Sequence, residues 1–196
     1  STYVWDPLTG SGGNTGVHPA TNTGYESNQM DYVEEHYILY IALQSHSSIP
    51  VDMISEEELT AAGLAPYSVV IITEQDIPDS GLNALVTWMQ GGGTLVMHSA
   101  AGFHNEYHTA STILSDATGI VPVFRERQYH GSIFTHGVVP SGTVTEGSNS
   151  ATCYSGNTTF TSTGGATVFD TWGDATPAVL EKTIGSGRVV VWNAFF

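Results

Sequence analysis

The hydrophobic pattern is clearest between Asp79 and His108, which reads DSGLNALVTWMQGGGTLVMHSAAGFHNEYH. Leu82, Leu85, Val86 and Met89 recur at helical spacing and share one face. Asp79 or Ser80 is placed to cap that helix, because a short polar side chain accepts from the free amides of the first turn. Gly91, Gly92 and Gly93 end it, since glycine tolerates the left-handed conformation found at helix C-termini. Thr94 to Met97 follows as a short apolar run, the mark of a strand covered on both faces. It runs out at His98-Ser99-Ala100-Ala101-Gly102, where small residues permit a sharp turn. Ligands of open α/β sheets bind beyond that end of a strand, so this turn is the first place to look for a site.

Upstream, the pattern predicts a first strand at Thr2–Trp5 and a long arm rich in Gly, Asn and Thr over residues 1–28. Such a stretch is either a binding loop or a mobile arm. Asp31 to about His46 is predicted helical, with Val33, Tyr37, Tyr40, Ile41 and Gln44 on one side. Ile49–Ile54 is predicted as a strand, with Pro50 tolerated near its start. Ser55 with Glu58 forms a capping box for a short helix over Glu56–Ala62. Ser68–Ile72 is predicted as a buried strand, and Asn105 to about Ala117 as a helix that Gly119 ends. From Ile120 onward Thr, Ser, Gly and Val dominate, as in short strands joined by turns. Gly131–Val139 and Thr167–Phe169 are expected strands, and Ala178–Ile184 with Arg188–Ala194 a hairpin about Gly185-Ser186-Gly187. The alternation of helix and strand in the first half argues for a parallel sheet with helices on both faces. Residues 1–196 read as a single α/β domain whose part from 120 to 196 is β-rich.

Charge narrows the partners. Lys and Arg number 4 against 19 Asp and Glu, a formal net charge of -15. Bare nucleic acid is a poor partner and none is expected, because binding it depends on cationic neutralisation of phosphates. An anionic membrane surface is disfavoured for the same reason. No apolar run is long enough for a transmembrane helix, and no stretch reads as a signal peptide. Scattered acids with few lysines suit an extracellular or high-salt environment, where such surfaces stay soluble, or a cation-binding surface. The single cysteine, Cys153, has no internal partner and reads as an incidental thiol.

Three groups of residues carry candidate chemistry. His98, His104, Glu106 and His108 fall close together, and imidazole with carboxylate is a ligand set for a divalent metal such as zinc. On a helix, His104 and His108 would share a face; the spacing His-Asn-Glu-Tyr-His is not that of a zinc protease. The alternative is a polar rim satisfied by hydrogen bonds and water. Arg125, Arg127 and Tyr129, with His130 and His136 nearby, either orient an anionic or sugar substrate or form internal ion pairs. Ser99 is a candidate nucleophile at the turn, or a hydroxyl capping the next turn; its neighbours do not form G-x-S-x-G. The plentiful aromatics, Tyr25, Tyr107 and Tyr129 among them, suit either sugar stacking or, more simply, packing.

The segments Ile49–Asp52, Tyr67–Ile72, Leu85–Val96 and Pro177–Val191 together resemble the class I glutamine-amidotransferase-like superfamily. Two branches are similar: the trimerisation-type domain of bacterial beta-galactosidases, and the trehalose-utilisation (ThuA-like) proteins, whose run from triple glycine through a strand to His-Ser-Ala resembles Gly91–Ala100. The resemblance implies a flavodoxin-like sheet whose central strand enters the family's nucleophile turn. In amidotransferases that turn reads G-x-C-x-G; here Ala100 stands where the cysteine belongs and His98 where the first glycine does. Without a thiolate no thioester with glutamine forms, so amidotransferase activity is not expected. The trimerisation branch implies a non-catalytic assembly or recognition domain, a homo-oligomer or part of a multidomain parent, associated with carbohydrate. Ser1 in place of Met and an end on a strand at Phe196 suit a piece of a longer protein. The ThuA-like branch implies an enzyme acting on a sugar derivative. There His98 would be a general base or metal ligand, His104, Glu106 and His108 its supports, and Arg125 or Arg127 the substrate anchor.

Overall fold

A computed structural model describes residues 39–41, 43–44, 50–74, 76–98, 101–123, 142–146, 149–153, 159–171 and 175–193. The central element is the predicted helix. It forms as α2, Asp79–Gln90, and buries Leu82, Leu85 and Met89 completely, with Val86 packed at the margin of the same core. Two shorter helices flank it, α1 over Ala61–Leu64 and α3 over Ile113–Thr118. Residues 39–41 and 43–44 are helical too, within the stretch where the periodicity predicts a helix.

Among the described residues nine strands run in chain order: β1 Val69–Ile72, β2 Thr94–His98, β3 Ile120–Pro122, β4 Gly142–Glu146, β5 Asn149–Cys153, β6 Phe160–Thr163, β7 Thr167–Thr171, β8 Pro177–Ile184 and β9 Gly187–Trp192. Five of them make the main sheet, in the order β1-β2-β9-β8-β7. The pairs β1–β2 and β2–β9 are parallel, whereas β9–β8 and β8–β7 are antiparallel. The fold is therefore α/β and flavodoxin-like, with an antiparallel extension from the β-rich half. Leu95, Val189, Val191 and Leu180 point from three adjacent strands into the core that α2 covers, and all are buried. Two small antiparallel pairs, β3–β6 and β4–β5, complete the β-rich half. No helix among the described residues is long and apolar enough to cross a membrane.

The helix and the sheet meet without side chains at one end. The two-residue turn between β8 and β9 lies against the last turn of α2, with Ser186 N–H donating to the Gln90 carbonyl at 2.9 Å. Arg188 N–H donates to the Gly93 carbonyl at 3.1 Å and starts the β2–β9 register, Thr94 opposite Arg188. A Cβ on Gly187 would run into the carbonyl oxygens of Met89 and Gly93, and one on Gly185 into the carbonyl of Gln90. Backbone can approach backbone this closely only where positions 185 and 187 lack a side chain.

Several local expectations change. Residues 50–55 form no strand: Pro50 has no amide to donate, and Ile54 packs onto the core from an irregular segment. The Ser55–Glu58 capping box forms, with Ser55 N–H donating to Glu58 Oε2 at 2.7 Å. The helix it starts lasts only Glu56–Glu58, because Thr60 takes a fresh N-cap and accepts from Gly63 N–H at 3.1 Å. Neither Asp79 nor Ser80 caps α2; Pro78 holds the cap position. Gly91 closes α2 at φ -78, and the positive φ falls on Gly92 at 125. The predicted helix from Asn105 is irregular as far as Thr112, for a reason given below; Gly119 ends α3 as expected. Thr2–Trp5, the arm 1–28 and the expected strand Gly131–Val139 lie outside the described residues.

Gly187→Ala is expected to destabilise the domain by about 1–3 kcal/mol, the usual cost of forcing an extra carbon into a packed site. Urea unfolding of this variant beside wild type measures the difference; an unchanged midpoint would show that the turn can retreat from α2.

Candidate functional site

At the opposite, carboxyl end of the sheet the β1–β2 pairing continues into the loops. Gly102 N–H donates to the Glu74 carbonyl at 2.8 Å, and Ile77 N–H to the His104 carbonyl at 3.0 Å. Asp76 and His104 form an isolated parallel bridge, and His104 pairs on its other side with Ala110, antiparallel. Gly102 has φ 65, and a Cβ there would press on Leu82 and Leu114, so the chain turns here flat against α2 and α3.

Asn105 then organises the loop. Its Oδ1 accepts from Tyr107 N–H at 3.0 Å and Thr109 N–H at 3.1 Å, and its carbonyl accepts from His108 N–H at 2.9 Å. A short amide side chain satisfies these donors locally, which competes with helix. The cost is a left-handed His108, at φ 56. The same Asn105 donates from Nδ2 to Asp79 Oδ2 at 3.3 Å, and Ser111 Oγ donates to Asp79 Oδ1 at 3.2 Å. Glu106 reaches back to the start of α2, where Oε2 accepts from Asp79 N–H at 3.1 Å. Its negative charge suits that end of a helix.

These constraints bring together Asp76, His104 and His108. One donor atom from each lies within 4.8 Å of the others. His108 Nδ1 is 2.8 Å from Asp76 Oδ1, and His104 Nδ1 is 3.7 Å from the same oxygen. The two imidazole rings sit 4.2 Å apart between centroids, tilted by 33°. An ionised carboxylate only accepts, so the proton in the His108–Asp76 contact belongs to His108 Nδ1. The side chains of Asp76 and His104 are 10% and 12% exposed, that of His108 41%, so the cluster opens to solvent on one side. Burial and the neighbouring His108 hold the His104 pKa below the ordinary imidazole value, with Asp76 partly opposing them.

The other expected site residues fall elsewhere. His98, the last residue of β2, pairs in register with Trp192 of β9 and is only 3% exposed. Burial lowers its pKa to about 3, which makes it neutral, and a weak base, at neutral pH. His98 and Glu106 are outside the donor group that His104 and His108 form with Asp76. Ser99, Arg125, Arg127 and Tyr129 lie outside the described residues, as do His130 and His136. Asp76 is the site residue that sequence reasoning missed. Its signal is position: a carboxylate just past β1, the parallel neighbour of the strand that leads to the histidines. Of the two cations among the described residues, Lys182 donates from Nζ to the Thr118 carbonyl at the end of α3, and Arg188 lies 3.7 Å from Glu181.

No protein-family model matches the sequence. No curated protein matches it either. Solved structures do. A beta-galactosidase from Bacillus circulans sp. alkalophilus superposes with a TM-score of 0.66 at 22% identity, over 93% of this chain and 26% of that one. Gan42B, a GH42 beta-galactosidase from G. stearothermophilus, gives 0.64 at 20% identity, over 92% of this chain and 25% of that one. The cytoplasmic protein STM1381 from Salmonella typhimurium LT2 gives 0.57 at 16%, over 82% of this chain and 75% of that one. At these identities the likeness establishes the fold: α/β, flavodoxin-like. The chain spans about a quarter of the length of the two beta-galactosidases.

A buried neutral histidine links stability to pH. His98 has a folded pKa below its unfolded value, so the unfolded chain binds the extra proton between about pH 6.5 and 3. Its stabilising effect is complete above 6.5 and is lost as the pH falls toward 3. Between pH 7 and pH 5 the loss is expected to be about 2 kcal/mol. Urea unfolding at the two pH values checks this; His98→Gln is expected to flatten the dependence by that amount, and an equal dependence in both proteins would contradict the assignment.

Proposed function

We propose that this chain is an assembly or recognition domain of glutamine-amidotransferase-like fold, belonging to a carbohydrate-associated, multidomain or oligomeric protein, and performing no turnover of its own. The observation that carries this reading is the superposition of nearly the whole chain on about a quarter of much longer beta-galactosidases. The resemblance of the sequence to their trimerisation-type domain supports it. So does Ala100 at the place of the amidotransferase cysteine, and so does the burial of His98, which removes that residue as an accessible base. The acidic, cation-poor composition supports an extracellular or high-salt setting and a neutral partner such as a sugar.

One observation favours a second reading, a ThuA-like enzyme acting on a sugar derivative. Asp76, His104 and His108 stand where open α/β sheets hold their ligands. In that reading the histidines serve the reaction, with or without a divalent metal, and Arg125, Arg127 and Tyr129 orient the substrate.

Particle mass and turnover decide between the two. Light scattering on the purified chain at high micromolar concentration is expected to give a closed multiple of 20.8 kDa, with no hydrolysis or isomerisation in a panel of sugar derivatives. A monomer that turns over one of them, and loses that activity in His104→Ala, would overturn the assembly reading and establish the enzyme.

A further inference from the structure

We propose that Asp76, His104 and His108 form a binding site for a divalent transition metal of the zinc class, with one oxygen and two imidazole nitrogens as protein ligands. The inference commits to the metal that the second reading leaves open, and it requires no turnover.

The donors are already gathered. One atom from each side chain lies within 4.8 Å of the other two. Zinc holds nitrogen and oxygen at about 2.0–2.2 Å, so donors around one ion stand roughly 3.3 Å apart. Closing from the observed spacing takes small rotations about side-chain bonds. The shortest contact, 2.8 Å between His108 Nδ1 and Asp76 Oδ1, opens slightly as the ion replaces the shared proton. The imidazole remains neutral by carrying its proton on Nε2, so no charge is lost from the ligand set.

The backbone holds the ligands independently of any ion. Asp76 and His104 are fixed by their parallel bridge and by the Ile77–His104 hydrogen bond. His108 is fixed by three hydrogen bonds to Asn105 around it, and Asn105 in turn by Asp79. Such a frame lowers the ordering cost of binding. The turn that Asn105 organises holds His108 in the left-handed region, at φ 56, with its ring against Asp76.

The donor set selects the ion. Two imidazoles with one carboxylate suit zinc, iron(II), cobalt(II) or nickel(II). Calcium wants six to eight oxygens and magnesium about six, which one carboxylate does not begin to supply. Three protein ligands leave at least one coordination position open, and the exposure of His108 gives solvent or an oxygen ligand access to it.

The test uses the full chain without an affinity tag, stripped with chelator and titrated with zinc by equilibrium dialysis and elemental mass spectrometry. Cobalt(II) serves as an optical probe and magnesium as a control. One equivalent of zinc is expected, with a melting temperature that rises with zinc concentration and visible cobalt absorption that zinc displaces. In His108→Asn, which keeps a side chain tolerant of the left-handed turn, and in Asp76→Asn, affinity is expected to fall at least tenfold. Circular dichroism confirms that both variants are folded; a variant that is not is replaced by His104→Gln. Absence of zinc uptake by the wild type overturns the site. Unchanged affinity in either folded variant also overturns it, since the metal then sits on other histidines.

Discussion

The structure depends on a contact that contains no side chain: the β8–β9 turn pressed against the last turn of α2. Ser186 and Arg188 donate to carbonyls of the helix end and the triple-glycine turn, and the space for those bonds exists because positions 185 and 187 are glycine. This contact puts β9 beside β2 in parallel register, although the two strands are separated by most of the β-rich half of the chain. With β9 in place, Val189 and Val191 join Leu85 and Met89 in one buried core, and β8 and β7 add on by antiparallel pairing. The long-range order of the sheet follows from one short-range approach.

The two ends of the sheet then have different work. The amino end of β2 and β9 is sealed by backbone against backbone. The carboxyl end opens into two loops that stay paired, through Asp76 and His104, after the strands themselves have ended. Polar side chains are gathered there rather than spread: Asp79 receives Asn105 and Ser111, Glu106 caps α2, and Asp76 takes His108. Each bond ties the loop after β2 to the loop after β1 or to the helix that follows it. A polar cluster assembled in this way is carried by the scaffold rather than by a free loop.

Much of the scaffold is legible in the chain. The apolar face of Leu82, Leu85 and Met89, the triple glycine and the run Thr94–Met97 give α2, its end and β2 directly. Gly185-Ser186-Gly187 between two apolar runs gives the β8–β9 hairpin. The candidate site is legible only in half. His104 and His108 stand out by composition, but helical spacing brings them together for the wrong reason. The residue that actually sets their geometry is Asn105, whose side chain takes the amides that a helix would have used. Asp76 could not be matched to them from spacing, because the link is the lateral pairing of β1 with β2, a long-range fact. His98, in turn, reads as a candidate base or metal ligand at a strand end and is buried beside β9.

The paired loops, and not a helix, hold His108 against Asp76 in the protein free of any ligand. Long-range proton–nitrogen NMR of the histidine rings tests it most directly, because it reads which ring nitrogen bears the proton. The expected result is a His108 ring protonated at Nδ1, donating to Asp76, and a change in that signal in Asp76→Asn. A His108 proton on Nε2, or a spectrum indifferent to Asp76→Asn, would contradict the arrangement.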